Sequence, residues 1–544
     1  MNTPVRAKGS PRAAGNQRAA VPAALLCLLL TACGGPDRPV GVVGHVDGFA
    51  GFVAADEPRA ALLGRDILSA GGTPADAAVA MAFALSVTLP SQAGLGAGGS
   101  CLIYDHDKGR VRALTFVAPP PSRLQAGTTR PTAVPELPRA MYALHDRYGR
   151  MRWESLVTPA ENMARFGVST SRAFALQLQP FATALLQDPA SSAVFGGGEG
   201  TGVREGDLLT QNDLGATLAR LRVEGVGNLY TDQGADALAA AAAAAGGSLN
   251  KADLAATQPR WSDPLAVVTG NDTAYFAPAP AAAGMVEAQM WGILAGQGRY
   301  GDAPAASRAQ LMAETSARVF ADRQVWMNPE GTSNQADAAL LSTAHLNGLM
   351  AGYSASGHQA AGGNPVTDAP AGTGLVVVGK DGSAISCAFS MNNSFGTGRM
   401  LPNMGFYLPF APGIKGRGPY SLGPVLVLNH NSNEFRFAAA AGGGPGAADA
   451  VIETMAAAQL EHVPLDQALA AKRVYAPNAP DQVVAEPGAP QAAALRAAGH
   501  QVEEGGLNVR VNAVQCGSGD PRPSRCSAET DPRGAGMAMV VGKD

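Results

Sequence analysis

The stretch Leu375-Val376-Val377-Val378-Gly379-Lys380-Asp381-Gly382-Ser383-Ala384-Ile385-Ser386-Cys387-Ala388-Phe389-Ser390 decides the fold. It reads as strands over 375–378 and 384–390, because apolar β-branched runs flank a Gly-Lys-Asp-Gly turn. A second hairpin follows, over 425–429 and 434–440, around Asn431-Ser432-Asn433. Gly442-Gly443-Gly444-Pro445-Gly446 then opens a helix over 447–460, and further strands are expected over 508–515 and 537–541. Towards the amino end the patterns turn helical, over 311–327, over the alanine run 237–245 closed by Gly246-Gly247, and across 137–165. Thr73-Pro74-Ala75-Asp76 starts a helix over 77–89, with a threonine cap, proline at the first position and an acid in the first turn. Pro90 ends it, and a glycine-rich loop leads to a strand over 101–104. Helices come mainly first and strands mainly late, so a layered α+β body is expected rather than a doubly wound sheet.

Composition narrows the class. The chain has 544 residues, 46% hydrophobic and 15% charged, with a net charge of -4. That balance excludes a disordered chain and a polybasic nucleic-acid binder. Glycine at 67 and proline at 39 are high but show no collagen-like period. No apolar run reaches the roughly 18 residues a spanning helix needs.

The first residues set the expected compartment. Arg6, Lys8, Arg12 and Arg18 precede the apolar run 21–30, which leads into Leu30-Thr31-Ala32-Cys33. A basic start, a short apolar core and a small residue before the cut make an export signal over 1–32. Leu-Thr-Ala-Cys is similar to a bacterial lipobox, whose cysteine would carry lipid at Cys33; an ordinary signal peptide is the alternative. Removing 1–32 takes away four basic and no acidic residues, so the net charge of -4 becomes -8. Residues 33–45 would then be a tether. Gly34 lacks the aspartate that retains lipoproteins at the inner membrane, so the resemblance favours the periplasmic face of the outer membrane.

Export makes disulfides permissible. Cys516 and Cys526 flank a Gly/Pro/Ser loop and are expected to be bridged. Cys101 and Cys387 each sit in apolar runs, where a bridge and two free thiols are equally consistent with the sequence. No spacing resembles a zinc site and no His-x-x-x-His pair occurs, so neither a metal nor a cofactor is expected.

Two glycine-rich loops need separate readings. Gly94-x-Gly96-x-x-Gly99 matches a dinucleotide fingerprint by letters, but the order here is helix, loop, strand, the reverse of what pyrophosphate binding requires. Close packing of the loop, or a place in a pocket wall, fits better. Gly442 to Gly446 has the useful order of strand, glycines, helix, so Gly443 and Gly444 could offer amide donors to a developing oxyanion; a plain tight turn is the competing reading. No Gly-x-Ser-x-Gly elbow occurs. Thr373, just before a strand, could serve as a nucleophile exposed at a new chain terminus, with its own amine as base. It could equally be an ordinary threonine at a strand edge.

Jointly these motifs resemble the γ-glutamyltransferase family of N-terminal-nucleophile hydrolases, over about residues 55–542. The early markers are Ile67-Leu68-Ser69-Ala70-Gly71-Gly72 with Pro74-Ala75-Asp76-Ala77-Ala78-Val79, and Leu95 to Gly99. The later ones are Lys380-Asp381-Gly382, Ser394-Phe395-Gly396-Thr397-Gly398, Gly443-Gly444 and Asp531-Pro532-Arg533. The resemblance implies a four-layer αββα sandwich and a precursor that cuts itself before a threonine into a large/small subunit heterodimer. It would divide this chain into a large-subunit region over 46–372 and a small-subunit region over 373–544. The threonine would take the γ-glutamyl group from glutathione or related amides, making a small γ-glutamyl compound or other amide the implied partner.

Where the family reads Thr-Thr-His, this sequence has Gly372-Thr373-Gly374. The family's carboxylate-binding arginine falls on Val117, the acidic residue expected near 413 is missing, and Ser-Ser-Met reads Tyr420-Ser421-Leu422. Ser390, Asn392, Ser421 and the Gly443-Gly444 pair match the family's nucleophile-supporting, substrate-binding and oxyanion positions. The resemblance therefore leaves two expectations. One is an amidohydrolase of altered substrate working through Thr373. The other is an inactive exported lipoprotein that uses the fold as a binding module.

Overall fold

The computed structural model describes residues 46–123, 128–198, 200–363, 371–414 and 418–542. The export segment, Cys33 and the tether lie outside the described residues. In chain order the elements that build the site begin with β1 (Gly51–Ala55), α1 (Pro58–Ser69), α2 (Pro74–Thr88), β2 (Gly98–Asp105), β3 (Arg110–Phe116) and α3 (Leu137–Tyr148). Next come β4 (Arg260–Ser262), β5 (Leu265–Thr269), β6 (Asp272–Phe276), α4 (Ala282–Trp291) and α5 (Ala305–Trp326). The last third supplies β7 (Thr373–Gly379), β8 (Ala384–Ser390), β9 (Val425–Asn429), β10 (Glu434–Gly442) and α6 (Gly446–Gln459). It closes with β11 (Arg510–Cys516), β12 (Cys526–Thr530) and β13 (Met537–Val541).

These strands form two antiparallel sheets, ordered β13-β1-β7-β8-β2-β3-β4 and β12-β11-β10-β9-β6-β5. Between the sheets lie Phe52, Leu102, Val376, Val378, Leu426, Phe435, Ala438, Ala440 and Val514. Helices α1, α2 and α3 cover the outer face of the first sheet, and α4 and α6 that of the second. The result is the four-layer αββα sandwich. Small residues make it possible: α2 is buried from Ala75 to Thr88 on every side, and its alanines let neighbours approach all round. Its first turn is closed by a capping box between Thr73 and Asp76, whose carboxylate also accepts from the amides of Arg150 and Met151.

The expected ordering, helices first and strands late, is corrected at β1, β3, β4, β5 and β6. All five arise before residue 277, and the first sheet takes strands from both sides of residue 372. Strand β1, Gly-Phe-Val-Ala-Ala, is buried on both faces and so shows no two-residue alternation to reveal it. The first glycine loop packs closely: a Cβ on Gly99 would lie 2.5 Å from the Ala388 carbonyl, and one on Gly96 would strike the Tyr407 carbonyl. Cys101 and Cys387 stand opposite each other in the β2–β8 register and are bonded, as are Cys516 and Cys526 across β11 and β12.

Several carboxyls, Glu57 and Glu287 among them, are desolvated in the interior and hold raised pKa values. Desolvation lifts Asp449 to about 7 and Glu453 to about 8, and it lifts Glu136, beside Arg139, to about 8. Arg323 faces Asp449 and opposes the shift; Arg473 and Arg533 face Glu453 and do the same, while Asp449 adds to it. At neutral pH Glu453 and Glu136 hold a proton in the folded chain and Asp449 is about half protonated, whereas all three have lost it when unfolded. Their stabilisation is therefore complete below about pH 4 and is lost as pH rises through the folded values. Thermal melting should fall by several degrees between about pH 5 and pH 8.5, and Glu453→Gln should flatten that slope. A melting temperature that rises across the same interval in both proteins contradicts this assignment.

Candidate active site

The residues around 372 enter β7 through a dense set of backbone hydrogen bonds. The Ala371 carbonyl accepts from Ser421 Oγ at 3.0 Å, the Gly444 amide at 3.2 Å and the Gly443 amide at 3.4 Å. Gly372 donates its amide to Gln92 Oε1 at 2.6 Å, and its carbonyl accepts from Arg510 at 3.4 Å. Asn512 Nδ2 donates to the Gly374 carbonyl at 3.1 Å and to Asp56 Oδ1 at 2.8 Å. The peptide unit between Ala371 and Gly372 is thus hydrogen-bonded at both its carbonyl and its amide.

The Gly443-Gly444 pair owes its place to the junction between β10 and α6. Both glycines have positive φ, +125° and +88°, a turn that aims their amides back towards residue 371 at the start of a helix. Together with Ser421 they make a three-donor cradle on a carbonyl oxygen, the arrangement that stabilises a tetrahedral intermediate. Gly372 presents no side chain to that carbonyl, and its φ of +115° is one that side-chain-bearing residues avoid.

Thr373 is fully buried, and its hydroxyl donates to Asp56 Oδ2 at 2.7 Å. Asp56 also lies 3.5 Å from Arg510 Nε. Gly374 is pressed against the opposite sheet, where an added Cβ would come within 2.7 Å of the Ala440 backbone, so a histidine has no room there. Ser390 and Asn392 are buried; Ser390 Oγ accepts from the Asn392 amide, and Asn392 Nδ2 donates to the Phe410 carbonyl. Val117 packs into a small apolar cluster with Ala388 and Leu422, a setting hostile to a bound carboxylate.

Beside this segment lies a cavity of about 370 Å³, lined among others by Asp56, Gln92, Phe181, Ser394, Gly443 and Arg510. Of the residues singled out from the sequence, Ser421, Gly443 and Gly444 converge on Ala371, while Thr373 turns to Asp56. Sequence reading missed Asp56, Gln92, Arg510 and Asn512. Asn512 carried a usable signal, a lone amide inside the apolar run Val511-Asn512-Ala513-Val514, since a buried polar side chain needs a partner. Asp56 and Arg510 lie at strand ends and Gln92 in the short helix Pro90–Ala93, and only the folded chain brings them together.

Stacked antiparallel sheets between helices, with an amide cradle aimed at the residue before a sheet strand, define the N-terminal-nucleophile hydrolase class of fold. The profile of the family described as Gamma-glutamyltranspeptidase matches residues 60–409 and 414–541, and the chain belongs to that family. It is 27% identical to a glutathione hydrolase proenzyme of Pseudomonas aeruginosa, over 90% of this chain and 94% of that protein. To the glutathione hydrolase proenzyme of Escherichia coli it is 28% identical, over 66% of this chain and 65% of that one. Among solved structures, a cephalosporin acylase from Bacillus halodurans has the same fold. That likeness has a TM-score of 0.76 at 21% identity and covers 91% of this chain and 96% of the acylase.

Proposed function

We propose that this protein is a γ-glutamyltranspeptidase-family member that remains a single chain and binds a small γ-glutamyl compound or other amide without transferring it. The observation that carries this reading is the Ala371 carbonyl seated in the Ser421, Gly443 and Gly444 cradle, with no hydroxyl at Gly372 to attack it. Self-cutting needs an oxygen that adds to that carbonyl carbon, takes the acyl group from the Gly372 nitrogen and then yields it to water. Glycine offers no such oxygen. The cradle is therefore filled by the chain's own peptide, and ligand contact falls to the adjoining cavity with its mixed lining of Asp56, Gln92, Arg510 and Phe181. Loss of the arginine at Val117 and of the acid near 413 argues against tight reading of a glutamyl α-carboxylate and α-amine.

A second reading keeps an enzyme. Thr373 Oγ donates a hydrogen bond to Asp56, a carboxylate that lines the same cavity as Gly443, so a base lies at the cavity edge with the hydroxyl buried behind it. Cutting before Thr373 would free it to act on an amide of altered type. The expected result on a reducing denaturing gel is one band of mature length, with no release of chromophore from γ-glutamyl anilides. A second fragment whose first residue is Thr373, with turnover abolished in Thr373→Ala, would replace the first reading by the second.

The export signal and lipobox-like Cys33, with two disulfides that require an oxidising compartment, support an anchored envelope protein on the periplasmic face of the outer membrane. Fractionation of the same cells should place the protein with outer membranes, and Cys33→Ser should move it to the soluble fraction. Soluble protein before the substitution contradicts the anchor.

A further inference from the structure

We propose that Glu314, His358 and His500 form a binding site for a divalent ion of the zinc class, apart from the cavity beside residue 372. One donor atom from each lies within 4.8 Å of the others, the one such group of three among the described residues. The three come from remote parts of the chain. Glu314 is in the middle of α5, His358 is in the segment after it, and His500 lies beside the small sheet of Val474–Tyr475, Val483–Ala485 and Val502–Glu504. Such a set has no spacing for a sequence pattern to catch.

The geometry is that of a ligand set with its supporting partners in place. Both imidazoles converge on one oxygen: Glu314 Oε1 is 2.7 Å from His358 Nδ1 and 3.5 Å from His500 Nε2. Ligands about 2.0–2.1 Å from a tetrahedral ion stand roughly 3.3 Å from one another, so small shifts would admit the ion. Arg318 holds the other carboxylate oxygen, Oε2, at 3.1 Å and so leaves Oε1 turned towards the rings. The far nitrogen of His358 faces Asp481, 3.1 Å from both its oxygens, which is the carboxylate–imidazole partnership that fixes a metal-binding tautomer. Gln310 Oε1, 2.9 Å from His500 Nε2, stands where a fourth oxygen ligand or a displaced acceptor would be. Glu314 and His500 are buried, and His358 at 12% exposure leaves a narrow way in. Two imidazoles and one carboxylate suit zinc, and they leave a position open. Binding would clamp α5 to the small sheet.

The probe is Co²⁺, then Zn²⁺, added to full-length, untagged protein stripped with a chelator. One equivalent of Co²⁺ should give the visible bands of a four- or five-coordinate site, and one equivalent of Zn²⁺ should erase them. His500→Gln and Glu314→Gln should each abolish the bands, and Asp481→Asn should weaken affinity by about tenfold to a hundredfold. Absence of bands in the wild-type chain, or bands that persist in both ligand variants, overturns the site; the cluster is then only hydrogen-bonded. Should both variants fail to fold, X-ray absorption on the wild-type zinc protein decides. Two imidazoles with a carboxylate oxygen support the assignment, and fewer imidazoles refute it.

Discussion

Replacing Cys101 and Cys387 together by alanine should cost the protein more stability than replacing Cys516 and Cys526 together. The bridge closes a loop of 286 residues, whereas Cys516–Cys526 closes one of 10. In the chain-entropy account the first constrains the unfolded chain by about 5 kcal/mol or slightly more and the second by about 3 kcal/mol. The long bridge also ties β2 to β8 at the centre of the first sheet, where both cysteines are fully buried among apolar neighbours. Denaturant unfolding of the two double-alanine variants beside the wild type measures the ranking. If the Cys516/Cys526 variant proves the less stable, chain entropy is not what the long bridge supplies.

The second large effect is expected at Gly442. A Cβ there would overlap the Gly372 carbonyl group and lie 2.6 Å from the Thr373 nitrogen, all backbone atoms that have no rotamer to escape into. Gly442→Ala must therefore push the 371–373 segment away from the end of β10 and disturb the three donors on Ala371. Overpacking of this kind costs about 1–3 kcal/mol, and contact with backbone puts this site at or above the upper end. Gly506→Ala, where an added Cβ meets nothing within 4 Å, is the control and should leave the urea midpoint nearly unchanged. Equal midpoints for the two variants would mean that 371–373 is not seated on β10 as described.

Much of the late half of the chain was legible, and so was α2 near its start. The hairpin of β7 and β8, the strand-glycine-helix junction at β10 and α6, and the cap of α2 all announce themselves through turn chemistry and local periodicity. What escaped were short strands in the first half of the chain and β1, which is buried on both faces. In β1 the apolar run gives no alternation, and β4 is only Arg260–Ser262, too short to show any. The site was legible as to its cradle, because glycines before a helix have a local physical reason to be there. Its other half was not: the partnership of Gln92 with Gly372 joins residues 280 apart, and that of Asn512 with Asp56 joins residues 456 apart. No local pattern encodes such pairs.

The closeness of Gly374 to the Ala440 backbone bears on what the segment can accept. With glycine at 374 the two sheets meet at short range, and Gly372 takes a torsion that residues with side chains avoid. A histidine at 374 would need the sheets to part, and a threonine at 372 would need a new backbone torsion. The two positions are coupled through the sheet spacing, so a change at either one strains the other.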